Sequence, residues 1–548
     1  MIRVPSLVLV AVLACRLSVP AFAQPDPPKL LVVVVVDQMR RDYVTEYGQP
    51  WTGGLKRLYA EGAVFDRAAY PYFNTLTCVG HATIGTGAYP RTSGIVMNEW
   101  YDRTARKQLP CAEDDSVTAI GYTSDSGLVP NSPHRLLAPS LAEQLRAWTG
   151  GKVVTLALKP RSAIMLAGHV SDATTWFDDK GFTWTTSTAF TDRPVPEVRQ
   201  FVEANPIEAD LGKTWSKALP DAAYKYADDG LAERAPRGWT TTFPHTLASA
   251  KGPDFYAAWQ VTPYADQYIV RMASALVDGM KLGQRSETDF LGISFSTLDL
   301  AGHAFGPRSH EVQDILAGLD RSLAALFDHL DRTVGRGRYT VALSADHGVA
   351  PVPEQRAAEH ATGGRIDVRK ATAAIEGALV KTFGEGKYVE WTTFPYVYLT
   401  AGIGERVAAT PAAIAAMREA MKGVAGIRTV LQTNALAAVS PDPLLNAAAL
   451  AQYPLRVGEL LIVPEPYFIP QGLTATHGSP YGYDQQVPLI FMGAGIRRGH
   501  YPGAASPADI APTLGALGGS RLPRADGHVL SPALAPAASP AAPRPTPR

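Results

Sequence analysis

Five short runs of aliphatic and β-branched residues constrain the fold of this chain more than any other feature. They lack a regular alternation of apolar and polar residues, which is typical of strands that are buried on both faces of a sheet. Parallel sheets bury their strands in this way, because helices cover both faces. The runs are LLVVVVV (30–36), VVTLAL (153–158), FLGISFS (290–296), YTVALS (339–344) and VPLIFMG (487–493).

Helical patterns separate the apolar runs. Residues 310–331 have apolar side chains three and four positions apart, and residues 140–148 have a similar pattern. Strands that alternate with helices predict an α/β fold with a mostly parallel central sheet and helices on both faces. Two regions interrupt this alternation, at about 176–262 and 366–470, and we expect both to be insertions that cap or flank the sheet.

Both ends of the chain predict segments outside the folded domain, which we expect at 24–530. Residues 1–23 contain an early arginine, an apolar run and the small-residue site AFA, the pattern of a secretory signal peptide. This pattern predicts a periplasmic or secreted protein. A minor alternative is a lipoprotein anchored through Cys15, because VLAC resembles a lipoprotein cleavage box. Residues 531–548 are rich in proline and alanine and are predicted to be disordered.

Composition argues against several classes of partner. Lysine and arginine total 51, as do aspartate and glutamate, so no basic face is expected for nucleic acid. After the signal peptide no stretch of about 18 consecutive apolar residues occurs, so we expect no stable membrane insertion. Two cysteines remain after signal removal, Cys78 and Cys111, and either one disulfide or two buried thiols fits this count. A monomer is the expected oligomeric state.

Acidic and histidine side chains lie next to four of the apolar runs. Taken singly, an aspartate after a strand is more often a helix cap than a ligand, but the repeated placement favours a shared site. Ligand sites form outside the carboxyl ends of parallel strands, so we expect these side chains to meet at one sheet edge. Three carboxylates and three imidazoles suit zinc, and six ligands suit two ions. The six residues are Asp37, Asp299, His303, Asp346, His347 and His477.

The stretch NTLTCVGH (74–81) supplies hydroxyl groups that such ions could activate. Two metal ions can stabilise both the attacking and the leaving oxygen of an in-line displacement at phosphorus. A hydroxyl on a metal loses its proton near neutral pH, so one of two threonines, Thr75 or Thr77, would attack phosphorus as an alkoxide.

With these motifs in this order, the sequence resembles the alkaline phosphatase superfamily along nearly the whole mature chain. It is most similar to periplasmic alkaline phosphatases that use threonine as the nucleophile, while nucleotide pyrophosphatase/phosphodiesterases are more distant relatives. The resemblance implies an alkaline-phosphatase-like fold and favours Thr77, which precedes His81 by four positions and Asn98 by 21. It makes Asn98 a hydrogen-bond donor to phosphate, Thr75 a structural turn residue and His81 a local hydrogen-bonding residue.

The same resemblance implies two Zn²⁺ ions per subunit and divides the ligands between them. One ion would take Asp299, His303 and His477, and the other would take Asp37, Asp346 and His347 together with the Thr77 oxygen.

A pair of basic residues in LKPR, Lys159 and Arg161, resembles the Lys-x-Arg pair of the threonine-type monoesterases. Cations at this place would bind oxygens of a phosphate monoester where a diester carries a second organic group. We therefore expect Thr77, Asn98, Lys159 and Arg161 to hydrolyse small phosphate monoesters through a covalent phosphothreonine.

Three other activities occur, or are expected, on this kind of fold. A phosphodiesterase or nucleotide pyrophosphatase of the same superfamily is the main alternative, and a phosphotransferase is a weaker one. A sulfatase would need Cys-x-Pro-x-Arg, but Cys78 is followed by Val79, Gly80, His81 and Ala82.

Overall fold

The computed structural model describes residues 26–436 and 440–536. The predicted signal peptide, Cys15 and most of the predicted tail lie outside the described residues. Pro27–Leu534 form one compact unit. Within the described ranges, no helix is long and apolar enough to cross a lipid bilayer.

The strands of this unit are short, as the apolar runs predict. In chain order they are β1 (Leu30–Val36), β2 (Ala63–Ala68), β3 (Glu99–Asp102), β4 (Lys107–Pro110), β5 (Ala119–Gly121), β6 (Val153–Ala157), β7 (Ala173–Asp178), β8 (Thr183–Ser187), β9 (Thr214–Trp215), β10 (His245–Thr246), β11 (Asp289–Phe295), β12 (Tyr339–Ser344), β13 (Gly364–Ile366), β14 (Val389–Thr393), β15 (Tyr396–Leu399), β16 (Ile427–Gln432), β17 (Leu460–Pro464), β18 (Phe468–Pro470), β19 (Leu489–Gly493) and β20 (Gly499–Ala505).

The α-helices lie between these strands. They are α1 (Tyr43–Tyr47), α2 (Gly54–Glu61), α3 (Thr77–Thr86), α4 (Pro90–Ser93), α5 (Leu141–Thr149), α6 (Pro160–Ala167), α7 (Pro196–Ala204), α8 (Pro253–Gln260), α9 (Pro263–Gly279), α10 (Thr297–Phe305), α11 (His310–Leu330), α12 (Pro353–Ala358), α13 (Val368–Phe383), α14 (Ile403–Ala408), α15 (Pro411–Met421), α16 (Pro443–Leu450), α17 (Gly482–Gln485) and α18 (Ile510–Gly518).

The central sheet has ten strands in the order β20-β2-β19-β12-β1-β11-β6-β7-β8-β5. Its five middle strands, from β12 to β7, are parallel, and β19, β8 and β5 add antiparallel pairs on either side. The predicted α/β class is therefore confirmed, with the qualification that the run at 487–493 forms an antiparallel strand.

Both faces of the sheet are covered by helices. Even-numbered residues of β1 belong to one hydrophobic core with α9 and α11, and odd-numbered residues belong to a second core with α5 and α18. This two-sided burial explains why β1 is a continuous run of valines and leucines, because neither of its faces meets water.

The region around 366–470 has a core of its own. The sheet β14-β15-β17-β16 packs against α13 and α15 through Ile375, Leu379, Val397, Met417 and Ile462. In the region predicted as an insertion at 176–262, the first residues instead belong to the central sheet, because β7 and β8 extend it. The first residues of the predicted disordered tail are instead folded, since the backbone N–H of Arg497 donates to the Ala533 carbonyl.

Candidate active site

The ends of the parallel strands place the predicted site residues at one edge of the central sheet. Val36 at the end of β1 pairs with Phe295 of β11, and Val35 pairs with Ser344 of β12. The segments that follow these three strands therefore start next to each other, at the same edge of the sheet. Because β19 runs antiparallel to β12, the loop before β19, which contains His477, reaches the same edge.

Three of the predicted ligands come from segments that follow β1 and β12, and we call them the strand set: Asp37, Asp346 and His347. All three side chains are fully buried. His347 Nε2 lies 3.4 Å from Asp37 Oδ1 and 3.5 Å from Asp346 Oδ2. Asp346 Oδ1 accepts the backbone N–H groups of Gln38 and His347, which hold its carboxylate in place.

The other three ligands form what we call the helix–loop set: Asp299, His303 and His477. Asp299 and His303 lie one turn apart on α10, and His303 Nε2 is 3.2 Å from Asp299 Oδ1. His477 comes from the loop before α17, and its Nε2 is 3.7 Å from Asp299 Oδ1. One ligand atom each of Asp299, His347 and His477 lies within 4.8 Å of the others, so His347 is within reach of both sets.

The three histidines share one orientation. Each Nδ1 donates to a backbone carbonyl: His303 to Ala475 at 2.9 Å, His347 to Gly348 at 2.9 Å and His477 to Thr75 at 2.8 Å. A carbonyl only accepts, so each Nδ1 carries a proton, and in the neutral imidazole each Nε2 presents a lone pair toward the carboxylates. Metal-binding histidines are fixed in this way by their second nitrogen.

Buried negative charge is the main electrostatic feature of the site. Burial, followed by the charges of Asp299 and Asp346, raises the pKa of Asp37 well above its ordinary value. Within the described part of the chain, Asp37 Oδ1 and Asp346 Oδ2 are buried without a hydrogen-bond partner. Burial also lowers the pKa values of His347 and His477, which favours the neutral imidazole that binds metals. These orphan oxygens and lone pairs fit divalent cations.

Lys159 contacts both sets of ligands. Its ammonium donates to Asp37 Oδ2 and to Asp299 Oδ2, one carboxylate from each set. Arg161 follows in the first turn of α6, and its Nε is buried without a partner in the described ranges. Both basic residues therefore lie at the predicted edge, and the predicted phosphate-binding role of Lys159 requires its ammonium to turn from the carboxylates toward a substrate.

Thr77 is the first residue of α3 and its side chain is buried. Its Oγ1 lies 3.4 Å from His347 Nε2, next to the strand set. Helix N-termini stabilise negative charge, so an oxyanion of Thr77 or a phosphate beside it would be stabilised. Asn98 accepts the Cys78 N–H at 2.7 Å through Oδ1, which leaves its amide N–H groups for another acceptor.

His81 and Thr75, which were predicted to support the site, each have specific hydrogen-bond partners. His81 Nδ1 lies 2.8 Å from the Thr77 carbonyl, and its Nε2 lies 2.8 Å from Ser294 Oγ. Thr75 Oγ1 donates to the Ser479 carbonyl at 3.0 Å, and its own carbonyl accepts from His477. Thr75 thus connects the segment of Thr77 to the loop that carries His477.

The open choice between a disulfide and two thiols is resolved in favour of the disulfide. Cys78 and Cys111 are bonded, with their Cα atoms 6.7 Å apart. The bond joins the first turn of α3, next to Thr77, to the segment that follows β4.

Gln38 is a site residue that the sequence interpretation missed. It has a positive φ of 68°, its backbone N–H donates to Asp346 and its side-chain amide donates to Asp299 Oδ1 at 2.6 Å. It therefore joins a carboxylate of the strand set to one of the helix–loop set. Its position directly after Asp37 is the signal that the sequence offers for it.

Residues 31–472 match the family described as type I phosphodiesterase / nucleotide pyrophosphatase. The chain belongs to this family. Three curated proteins are similar to this chain over most of the length of both sequences. They are the alkaline phosphatase PafA of Elizabethkingia meningoseptica (32% identity, 89% of this chain, 91% of that protein), the alkaline phosphatase PhoV of Synechococcus elongatus (31%, 89% and 90%) and a protein of Myroides odoratus named calcium-transporting ATPase (32%, 89% and 91%).

The solved structure of PafA has the same fold as this family member. The two chains superpose with a TM-score of 0.86 at 31% identity, covering 93% of this chain and 99% of PafA. A second PafA structure, with the same TM-score and coverage at 29% identity, carries substitutions of a threonine, an asparagine, a lysine and an arginine. The predicted resemblance to the alkaline phosphatase superfamily is thereby confirmed.

Proposed function

We propose that this chain is a metal-dependent alkaline phosphatase that hydrolyses small phosphate monoesters through a phosphothreonine at Thr77. The observation that carries the proposal is the convergence of one buried threonine hydroxyl with three carboxylates and three oriented imidazoles. The names of PafA and PhoV support the activity. The residue types changed in the second PafA structure match Thr77, Asn98, Lys159 and Arg161 in type and in chain order.

The two sets of ligands suit two Zn²⁺ ions, one held by the strand set with Thr77 Oγ1 and one by the helix–loop set. Neutral imidazole and carboxylate are ligands that zinc accepts, and the thiols are sequestered in a disulfide. When bound, such ions stabilise the negative charge that develops on the attacking and leaving oxygens.

The chain's own residues would carry out two displacements at phosphorus. Thr77 Oγ1 gives its proton to solvent and forms a bond to phosphorus, while the bond to the leaving oxygen breaks and that oxygen takes a proton from solvent. A water molecule then attacks the phosphothreonine, and Thr77 Oγ1 regains a proton as inorganic phosphate leaves. Asn98, Lys159 and Arg161 would hold the non-bridging oxygens during both steps, where negative charge is spread.

The family's description makes diester hydrolysis the second candidate. Lys159 and Arg161 favour the monoester, because two cations at the substrate edge match an oxygen-rich dianion better than a second organic group. Rates on paired aryl phosphate monoesters and diesters, with and without a chelator, test this choice. Faster diester hydrolysis by the zinc-loaded enzyme would contradict the monoester assignment, and activity that survives complete metal removal would contradict the metal site.

We also propose that the enzyme is exported to the periplasm or the medium. The predicted signal peptide at 1–23 supports export, and so does the Cys78–Cys111 disulfide, since such bonds persist in oxidising compartments.

A further inference from the structure

An apolar cavity adjoins the site on the side of the helix–loop set. It has a volume of about 240 Å³, and His477 and Asn98 form part of its wall. The rest comes mainly from the segment before Thr77, from the region with its own core at 366–470 and from the loop after β18. Its apolar lining includes Leu76, Met97, Phe394, Phe468, Ile469 and Leu473.

The place of the cavity decides which part of a substrate it would receive. In an in-line displacement the leaving oxygen departs opposite the nucleophile, here opposite Thr77 Oγ1. Thr77 contacts His347 of the strand set, so the leaving oxygen belongs on the side of the helix–loop set. His477 of that set borders the cavity, and therefore the organic group attached to the leaving oxygen would enter it.

The chemistry of the lining selects among organic groups. The acidic residues in the lining are Glu99 and Asp484, and neither lysine nor arginine is found among the described residues that form it. A leaving group with further phosphates would bring negative charge toward these acids, and the described lining offers no lysine or arginine side chain to pair with it. A neutral ring would instead bury its apolar surface against the leucine, isoleucine and phenylalanine side chains.

We propose that this cavity binds a neutral aromatic leaving group, so that the preferred substrates are phosphate monoesters of aryl alcohols rather than nucleoside polyphosphates. The proposal rests on the proposed monoesterase function and deepens it. It gives the region at 366–470, which supplies Phe394, Phe468 and Ile469, a role in substrate choice.

Phosphonates test the cavity without the differences in leaving-group reactivity that complicate rate comparisons. Inhibition constants of the zinc-loaded, full-length enzyme are measured for inorganic phosphate, methylphosphonate and phenylphosphonate. We expect phenylphosphonate to bind about tenfold more tightly than methylphosphonate, because the ring loses its contact with water. Calorimetry should give a more negative heat-capacity change for phenylphosphonate.

Leu473→Ala should reduce the preference for the phenyl compound about threefold and leave the inhibition constant of inorganic phosphate unchanged. The Leu473 side chain is 44% exposed, so its truncation removes little core packing. Phe394→Ala should act in the same direction. Leu231→Ala, a leucine that is 57% exposed and outside the cavity, is the matched control and should change neither constant.

Equal binding of the two phosphonates by the wild-type enzyme would overturn the cavity proposal while monoester hydrolysis stands. An unchanged preference in both Leu473→Ala and Phe394→Ala would do the same. Failure of the proposed function has a different signature, namely no phosphate release from any monoester and no binding of inorganic phosphate, and it would remove the basis of this inference as well.

Discussion

The strand set and the helix–loop set differ in how the fold holds them. The residues of the strand set follow β1 and β12 directly, and their side chains are fully buried. In the helix–loop set, the side chains of Asp299 and His477 are only 2% and 4% exposed, but His303 is 32% exposed. His477 lies on a loop that is held by hydrogen bonds to Thr75 and Asp484. The strand set is therefore closed to solvent, whereas the helix–loop set is open to solvent at His303.

This difference matches the two tasks of an in-line displacement. The nucleophile must be fixed in one position, and Thr77 lies beside the buried strand set. Leaving groups must enter and depart, and the more open helix–loop set adjoins the apolar cavity. We therefore expect substitutions in or beside the strand set to cost more activity than those in the helix–loop set.

The sharpest test of this comparison is Thr77→Ala. Removal of the nucleophile should lower kcat by about 10⁵-fold, because the hydroxyl that lies beside His347 is lost. Zinc content should stay at the wild-type value, since the six other ligands remain. Thr77→Ser, which keeps a hydroxyl, is the control and should retain measurable turnover. Steady-state rates and metal analysis give the result, and wild-type activity of Thr77→Ala would refute the assignment.

Asp346→Asn tests the strand set with a change that conserves shape. The amide oxygen can still accept from Gln38 and His347, but the buried negative charge is lost. We expect kcat/KM to fall by about 10³-fold, the scale at which a buried charge network fails when one member is removed. The same substitution at Asp442, an exposed helix cap, is the control. A loss below tenfold would mean that the strand set is not the more critical one.

Lys159→Ala combined with Arg161→Ala tests the residues that lie between the two sets. Loss of two charge-assisted contacts should reduce monoester hydrolysis by about 10² to 10³-fold, and diester hydrolysis by about tenfold or less. The ratio of the two rates is the measurement. An equal loss on both substrates would contradict the monoester assignment.

His303→Ala tests the helix–loop set at its most accessible ligand. We expect about a 10 to 10²-fold loss of kcat/KM at limiting zinc, with partial recovery when zinc is added, because Asp299 and His477 remain. Titration of activity with zinc gives the apparent affinity. If His303→Ala were as damaging as Asp346→Asn and insensitive to added zinc, the contrast between the two sets would fail.

The strand set could be predicted from the sequence more directly than the residues that connect it to the helix–loop set. Each residue of that set follows an uninterrupted apolar run, and parallel strands bring such positions together whatever the loops do. The same rule placed Asp299, because α10 begins immediately after β11. The antiparallel direction of β19 was not visible, since a strand buried on both faces has the same apolar pattern in either direction.

The residues that join the two sets could not be recognised from local patterns. Gln38 acts through its left-handed backbone and through contacts with residues more than 250 positions away. Thr75 bonds to a loop about 400 positions further along the chain. For a related reason, the predicted insertion at 176–262 starts too early and includes residues of the central sheet. These residues belong to β7 and β8, whose sequences TTWF and TWTT are rich in polar threonine and lack the long aliphatic runs that mark the other strands.

The smallest expected effect separates the two threonines of the nucleophile segment. Thr75→Val keeps the backbone carbonyl that accepts from His477 and removes one hydrogen bond, from Thr75 Oγ1 to the Ser479 carbonyl. Loss of one such bond is worth about 1 kcal/mol, or about fivefold, and we expect it to appear as weaker zinc affinity with unchanged kcat at saturating zinc. Thr77→Val should lose turnover at every zinc concentration. If added zinc fails to restore the activity of Thr75→Val, Thr75 does more than hold the His477 loop. The helix–loop set would then be coupled to the nucleophile, and the contrast between the two sets would be weaker.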